Sequence, residues 1–227
     1  STRRRVQVHT SHWLIAVGFC AFSSVPAQAA DAAAPGSRGM VRAEREALLA
    51  GEVVARPMHF ETESGSYRGG VSYSLVNAPA AAVLSALSNV ETLPQALPNT
   101  KSARLIDVRG GLARVEFVHG GGTTYTVHIE RTPGRSELRF WLDSTRPHDI
   151  NDVFGFFRVE PFGEGKSVVT VAAALDMGSG LTSLFFSNAV ERSVLSTPRR
   201  IREYVEPRAL ALLEAQDGSA RGSSAGF

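Results

Sequence analysis

The sequence predicts an α+β domain, and three observations carry that prediction. A short alternating strand runs directly into an amphipathic helix that stops at a proline. A run of alternating strands with glycine-marked connections follows, and a long helix with one apolar face ends the ordered part of the chain. Strands joined by such short connections favour an antiparallel meander, so the helices belong at its ends and on one of its faces.

The first strand and helix lie in residues 70–98. Val71, Tyr73 and Leu75 alternate with Ser72 and Ser74, the period of a strand with one buried face. Asn77-Ala78-Pro79 turns the chain, and Pro79 suits a helix start because its missing N–H has no intrahelical partner there. Val83, Leu84 and Leu87, with Val90 beyond them, form a helical stripe that Pro94 and Pro98 bring to an end. Strands are then expected over residues 102–108, 113–119, 123–131, 137–144, 152–160 and 167–176. Gly110-Gly111, Gly120-Gly121-Gly122, Pro133-Gly134 and the pair Gly163 and Gly165 mark the connections. Residues 181–213 read as helix with Val190, Val194, Ile201, Val205 and Leu212 on its apolar face. Pro198 is expected to bend that helix, since its ring displaces a backbone hydrogen bond.

The two ends read differently. Arg3-Arg4-Arg5, the apolar stretch 13–22 and Ala27-Gln28-Ala29 have the three-part form of a cleavable signal peptide, assigned to residues 1–29. Its apolar stretch is shorter than the roughly 20 residues that span a bilayer. Residues 30–51 read as a linker and a short helix stopped by Gly51, residues 52–214 as the globular domain, and residues 215–227 as a disordered tail. This predicts a periplasmic or secreted protein whose mature form lacks cysteine, because Cys20 is the only one. The full chain is formally +2, but three of its 24 basic residues lie in the signal, leaving 21 against 22 acidic residues. That near-neutral balance excludes general attraction to nucleic acid. Arg192, Arg199, Arg200, Arg202 and Arg208 cluster on the last helix and would suit transient contact with anionic lipid; pairing with Glu191, Glu203 and Glu206 is the more economical reading.

The order of elements resembles the START-like (SRPBCC) superfamily, in its polyketide cyclase-like and coenzyme Q-binding-like branch. The resemblance lies in the opening strand with Asn77-Ala78-Pro79, the helix through Leu87, the Leu93-Pro94 and Leu97-Pro98 punctuation, the run Phe154-Gly155-Phe156-Phe157-Arg158-Val159-Glu160-Pro161, its partner strand and the terminal helix. It implies a helix-grip fold: a curved antiparallel sheet wrapped around the long C-terminal helix, with an apolar cavity between them. It also implies binding or carriage of a hydrophobic molecule of the lipid, quinone or sterol class, or, in a minority of such proteins, cyclase or aromatase activity.

Read independently, the strands provide the wall such a cavity needs. Val115 and Phe117 share a face with His119; Tyr125, Val127 and Ile129 share the next; Leu138, Phe140 and Leu142 the one after; and Val153, Phe157 and Val159 lie opposite Arg158. The same pattern fits a solid core. The candidate ligand-binding residues are Phe117, His119, Tyr125, Phe140, Phe157, Leu184 and Phe185. Catalytic signals are sparse, and neither a catalytic residue, a metal ligand nor a cofactor is assigned. His148, Asp149 and Asp152 lack the spaced partners of a metal motif and read as turn chemistry. Ser193 and Ser196 lack a nucleophile elbow, and the glycine run lacks the Lys-Ser/Thr of a phosphate loop. Glu116, His128, Glu130 and Arg139 are expected to face solvent, with Trp141 the apolar exception on that face.

Three functions fit this reading. The first is an exported hydrophobic-ligand binder or carrier. The second is a cyclase- or aromatase-type enzyme using His119, Tyr125 or Asp152 for proton transfer. The third is a ligand-free domain that binds another envelope protein through a patch at Trp141.

Overall fold

The structure, a computed structural model, describes residues 39–63, 65–131, 136–178 and 191–209. The predicted signal peptide, the linker up to residue 38, Leu184, Phe185 and the predicted tail fall outside the described residues. Helix α1 (Arg42–Leu49) precedes strands β1 (Val54–Thr62) and β2 (Gly65–Val76). Helices α2 (Ala80–Ser88) and α3 (Leu93–Ala96) follow, joined by a short 3-10 turn. Strands β3 (Thr100–Arg109), β4 (Leu112–His119), β5 (Thr124–Arg131), β6 (Glu137–Leu142), β7 (Asp152–Pro161) and β8 (Ser167–Asp176) complete the sheet. Helix α4 occupies residues 191–209. Every strand pair is antiparallel, in the order β1-β2-β8-β7-β6-β5-β4-β3. The sheet is curved and unclosed, with α4 on its inner face: a helix-grip fold.

The six strands expected after Pro98 are all present. The start of the sheet differs from expectation. The strand at 70–76 is the last part of a longer strand, and a further strand, β1, precedes it. β1 is an edge strand with Pro57 inside it and few buried residues, so it lacks the alternation that marks a half-buried strand. The opposite edge, β3, is irregular too, with register shifts between Thr100 and Ser102 and between Leu105 and Asp107.

The expectation of a single buried apolar face on residues 71–75 is also corrected, because both faces of β2 are covered. Tyr73 and Leu75 pack on the outer face against a cluster of Met40, Leu48, Val54 and Val168, so α1 is part of the folded unit. The more deeply buried face carries Gly70, Ser72 and Ser74, and both serines are fully buried. Small residues are needed there because α4 comes close. A Cβ at Gly70 would lie 2.9 Å from the Leu195 side chain and 2.3 Å from the Arg56 carbonyl, and its φ of 156° is one that other residues rarely adopt.

The core has a filled end and a lined end. At the filled end, Ile201, Val205 and Ala209 of α4 meet Val83, Leu84 and Leu87 of α2 over Val159, Val169 and Val171. The second cluster, Leu93, Val115, Phe117, Val127, Leu142, Ile150 and Val153, borders open space instead. Pro198, expected to bend α4, is fully buried inside an uninterrupted helical run. The arginines of this helix are held within the chain. Arg199 and Arg200 pair with Glu203, Arg202 donates to the Gly51 carbonyl at 2.6 Å, and Arg208 donates to the Tyr204 carbonyl and lies over its ring. Glu191 and Glu206 turn elsewhere, to His59 and Asn77.

Charges gather on the outer face. Glu137, nearly fully buried, accepts from Arg139 and from Arg158 at 2.7 and 2.6 Å. His128 does not face solvent as expected: its ring packs 5.4 Å from Trp141, and its Nε2 lies 3.7 Å from Asp143. Cross-strand packing covers it, because Trp141 is its directly opposed partner on β6.

The close seat of α4 makes two substitutions on β2 diagnostic. Gly70→Ala should destabilise by about 2–4 kcal/mol through strain and overpacking. Ser72→Ala should be neutral or stabilising by about 1 kcal/mol, because the buried Ser72 hydroxyl has no hydrogen-bond partner among the described residues. Chemical denaturation of the two variants checks both signs. For Glu137, burial raises the carboxyl and the two arginines outweigh it, so the group is held below its ordinary 4.5. Its contribution is therefore complete above 4.5 and lost as pH falls through the lower folded value. Glu137→Gln should flatten the acid limb of a stability–pH curve.

Candidate functional site

A cavity of about 420 Å³ lies between the inner face of the sheet, α3 and the first described turns of α4. Its wall follows from strand alternation. Phe117 and His119 on β4, Tyr125, Val127 and Ile129 on β5, Leu138 and Phe140 on β6, Val153 and Phe157 on β7, and Val171, Ala173 and Leu175 on β8 all point inward. The register brings the aromatic residues together: Phe117 is paired with Tyr125, and the Phe140 and Phe157 rings lie 5.4 Å apart. Gly155, opposite Phe140, makes room for that ring, since a Cβ there would sit 2.6 Å from it.

Five of the seven sequence-predicted residues, Phe117, His119, Tyr125, Phe140 and Phe157, therefore line one cavity. The other two, Leu184 and Phe185, lie outside the described residues. Sequence reasoning missed Leu93 and Leu97, the polar residues Asn99 and Thr100, and Ser193, Val194 and Thr197 of α4. The only signal for the last group was the helical spacing of Val194 with Ile201, which marks an inward face without saying what it meets.

The cavity is polar at one end only. There it opens beside exposed Asn99, Gly120 and Gly121. The His119 ring stacks on Tyr125 at 5.0 Å and on Phe117 at 6.0 Å. Burial pushes the His119 imidazole below its ordinary 6.5, with the nearby Asn99 backbone acting in the opposite direction. Burial likewise pushes the Tyr125 hydroxyl upward, so both groups are neutral at neutral pH. His119 Nε2 is buried and has no partner among the described residues. Nearby hydroxyls are engaged: Thr197 donates to the Ser193 carbonyl at 3.0 Å and Thr100 to that of Pro98 at 3.3 Å, while Asn99 reaches Ser193 Oγ at 3.5 Å. Among the described residues, the lining contains no Asp, Glu, Lys or Arg.

Asp152 is not part of this site. It lies on the opposite face of β7 from Val153 and accepts from the Tyr67 hydroxyl at 2.8 Å. His148 is bound to the Ile150 carbonyl and Asp149 accepts from the Thr124 N–H, so these two are spent on loop structure.

The family model described as polyketide cyclase / dehydrase and lipid transport matches residues 69–206, from β2 to near the end of α4. The chain belongs to this family. The matched span contains every described residue of the cavity wall. Among solved structures, this family member is similar to TTHA0849 from Thermus thermophilus, at 17% identity and a TM-score of 0.53, over 63% of this chain and 97% of that one. It is also similar to a fragment of the STAR-related lipid transfer protein from Xanthomonas axonopodis, at 13% identity and a TM-score of 0.50, over 68% and 98% of the two chains. Likenesses at these identities establish the shared fold. No curated protein matches.

The neutral state of His119 is directly measurable. Its ring resonances should titrate below 6.5 in an NMR pH series. Because folding depresses this pKa, stability should fall as pH drops through 6.5 toward the folded value. His119→Phe should remove that part of the slope.

Proposed function

We propose that this protein is an exported carrier or binder of a hydrophobic small molecule, held in the cavity between sheet and terminal helix. The observation that carries the reading is the hollow end of the core: an aromatic and aliphatic wall surrounding about 420 Å³ and lacking charged side chains among the described residues. Such a wall suits the lipid, quinone or sterol classes, and lipid transport is part of the family's own description. Burial alone supplies the driving force. At about 0.8 kcal/mol per methylene, a dozen methylenes contribute roughly 10 kcal/mol before the costs of association. Export rests on the signal-like residues 1–29, and it would place the carrier in an aqueous compartment where an insoluble molecule needs a shield.

A second reading, a cyclase- or dehydrase-type enzyme, is favoured by one observation: His119 and Tyr125 stack together in the cavity. A neutral imidazole beside a phenol is chemically able to move a proton on a bound ring. The partner-binding reading required a filled interior, and the interior is hollow at one end.

Native mass spectrometry of the protein purified without detergent tests the carrier reading. A stoichiometric adduct is expected, extractable as a lipid, quinone or sterol. Phe140→Asp should abolish the adduct, since it places an unpaired carboxylate in the wall. Retention of the adduct by this variant would overturn the assignment of the cavity. If His119→Ala kept the adduct but lost a chemical conversion, the enzymatic reading would replace carriage.

A further inference from the structure

We infer that the cavity takes a single straight hydrocarbon chain of about 14 carbons, tail inward, with Phe140 and Phe157 as the end wall that limits its length. The inference rests on the carrier reading and narrows it from hydrophobic molecules in general to single-chain amphiphiles.

The sheet register measures the depth of the cavity. At the mouth, beside exposed Asn99, Gly120 and Gly121, the lining begins with Phe117 and its partner Tyr125. Two residues deeper on β5 lies Val127, and two deeper again Ile129, opposite Phe140. The last lined row is Leu138 with Phe157 and, beyond it, Val171. Val159 and Val169 form the next row, fully buried in the filled core. Leu138 is the partner of Arg131, so β5 advances from Tyr125 to Arg131 between the first row and the last. At about 3.3 Å per residue that advance is roughly 20 Å.

Spread over that depth, a volume of about 420 Å³ leaves a section of roughly 20 Å². This is the section of one hydrocarbon chain whose carbons stand about 4 Å from the wall atoms. A second chain beside it, or a fused ring skeleton, needs roughly twice as much. Two estimates of length agree. At roughly 30 Å³ for a group the size of a water molecule, about 420 Å³ holds about 14 methylenes. An extended chain that advances about 1.3 Å per carbon places about 15 carbons in roughly 20 Å.

The far end of the cavity is firm. The Phe140 and Phe157 rings stand 5.4 Å apart, tilted by 37°. Phe157 is backed by the filled core, where Ile201 and Val205 of α4 close against α2. At the mouth the exposed residues leave the polar head of such a ligand in water, so the walls meet only its methylenes.

The test is the affinity of the full protein for straight-chain alkanoates of about eight to about eighteen carbons, measured by competition with a fluorescent fatty acid. Affinity should rise about fourfold per added methylene while the chain is still filling the cavity, then level off at about 14 carbons. The branched isomer 2-hexyloctanoate has the carbons and head of tetradecanoate in two short arms, and should bind at least about a hundredfold more weakly. Phe140→Ala should move the levelling point about three carbons longer, and the milder Phe140→Leu should move it the same way by less. Any of three results would overturn the inference: affinity that climbs through the whole series, equal binding of the branched isomer, or an unmoved levelling point in both variants. A protein that carries a native adduct but binds no alkanoate would overturn it while leaving the carrier reading intact. Absence of both adduct and alkanoate binding would overturn the two together.

Discussion

A helix approaches a sheet only as closely as the side chains between them allow, and along β2 almost nothing intervenes. Gly70, Ser72 and Ser74 form a buried strip of minimal volume, and at Gly70 the Leu195 side chain of α4 stands only 2.9 Å from where a Cβ would lie. That seat fixes the helix over the margin of the sheet where β2 meets β8. One half of α4 then closes against α2 and fills the interior with Ile201, Val205 and Ala209. Its first described turns, with Ser193, Val194 and Thr197, face the aromatic strands β4 to β7 across open space. Filled core and cavity are thus two results of one placement. The seat has a cost: the Ser72 hydroxyl is buried without a partner among the described residues, which is unfavourable by about 1–3 kcal/mol.

The charges complement this division. On the outer face, Glu137 sits between Arg139 and Arg158, and Arg114 bridges toward Asp107 and Asp143. The inner face opposite these strands carries no charge among its described cavity residues. One sheet thus separates an ionic surface from an interior of low polarity, and strand alternation alone achieves the separation. The low polarity of that interior is what holds His119 and Tyr125 in their neutral forms.

Much of this was legible in the residues, for a physical reason. The strands from β4 to β7 have one covered face, and such half-burial writes itself as alternation, so Phe117, Tyr125, Phe140 and Phe157 could be placed on one face from sequence. The edge strand β1 was not legible, because an exposed edge has no buried face to produce a period and Pro57 interrupts what remains. β2 misled for a different reason. Its hydrophobic residues pack under α1, whereas the face that receives α4 is built from glycine and serine, which look polar in sequence but serve as absent volume. The choice between core and pocket was equally hidden. It depends on how far a helix and a sheet stand apart, and no single strand encodes that distance.

An unclosed sheet has two free margins, and in this protein both are poor templates for another chain. β1 carries Pro57, which offers no N–H, and Arg56 is tied back by Glu44. β3 breaks its own register twice and bears Lys101, Arg104, Asp107 and Arg109 along its length. A strand approaching from solvent would find a missing donor at one margin, and mismatched spacing with charged side chains at the other. For a molecule that keeps a hollow, oily interior, such margins resist polymerisation: copies can collide at high concentration without being drawn into continuous sheets.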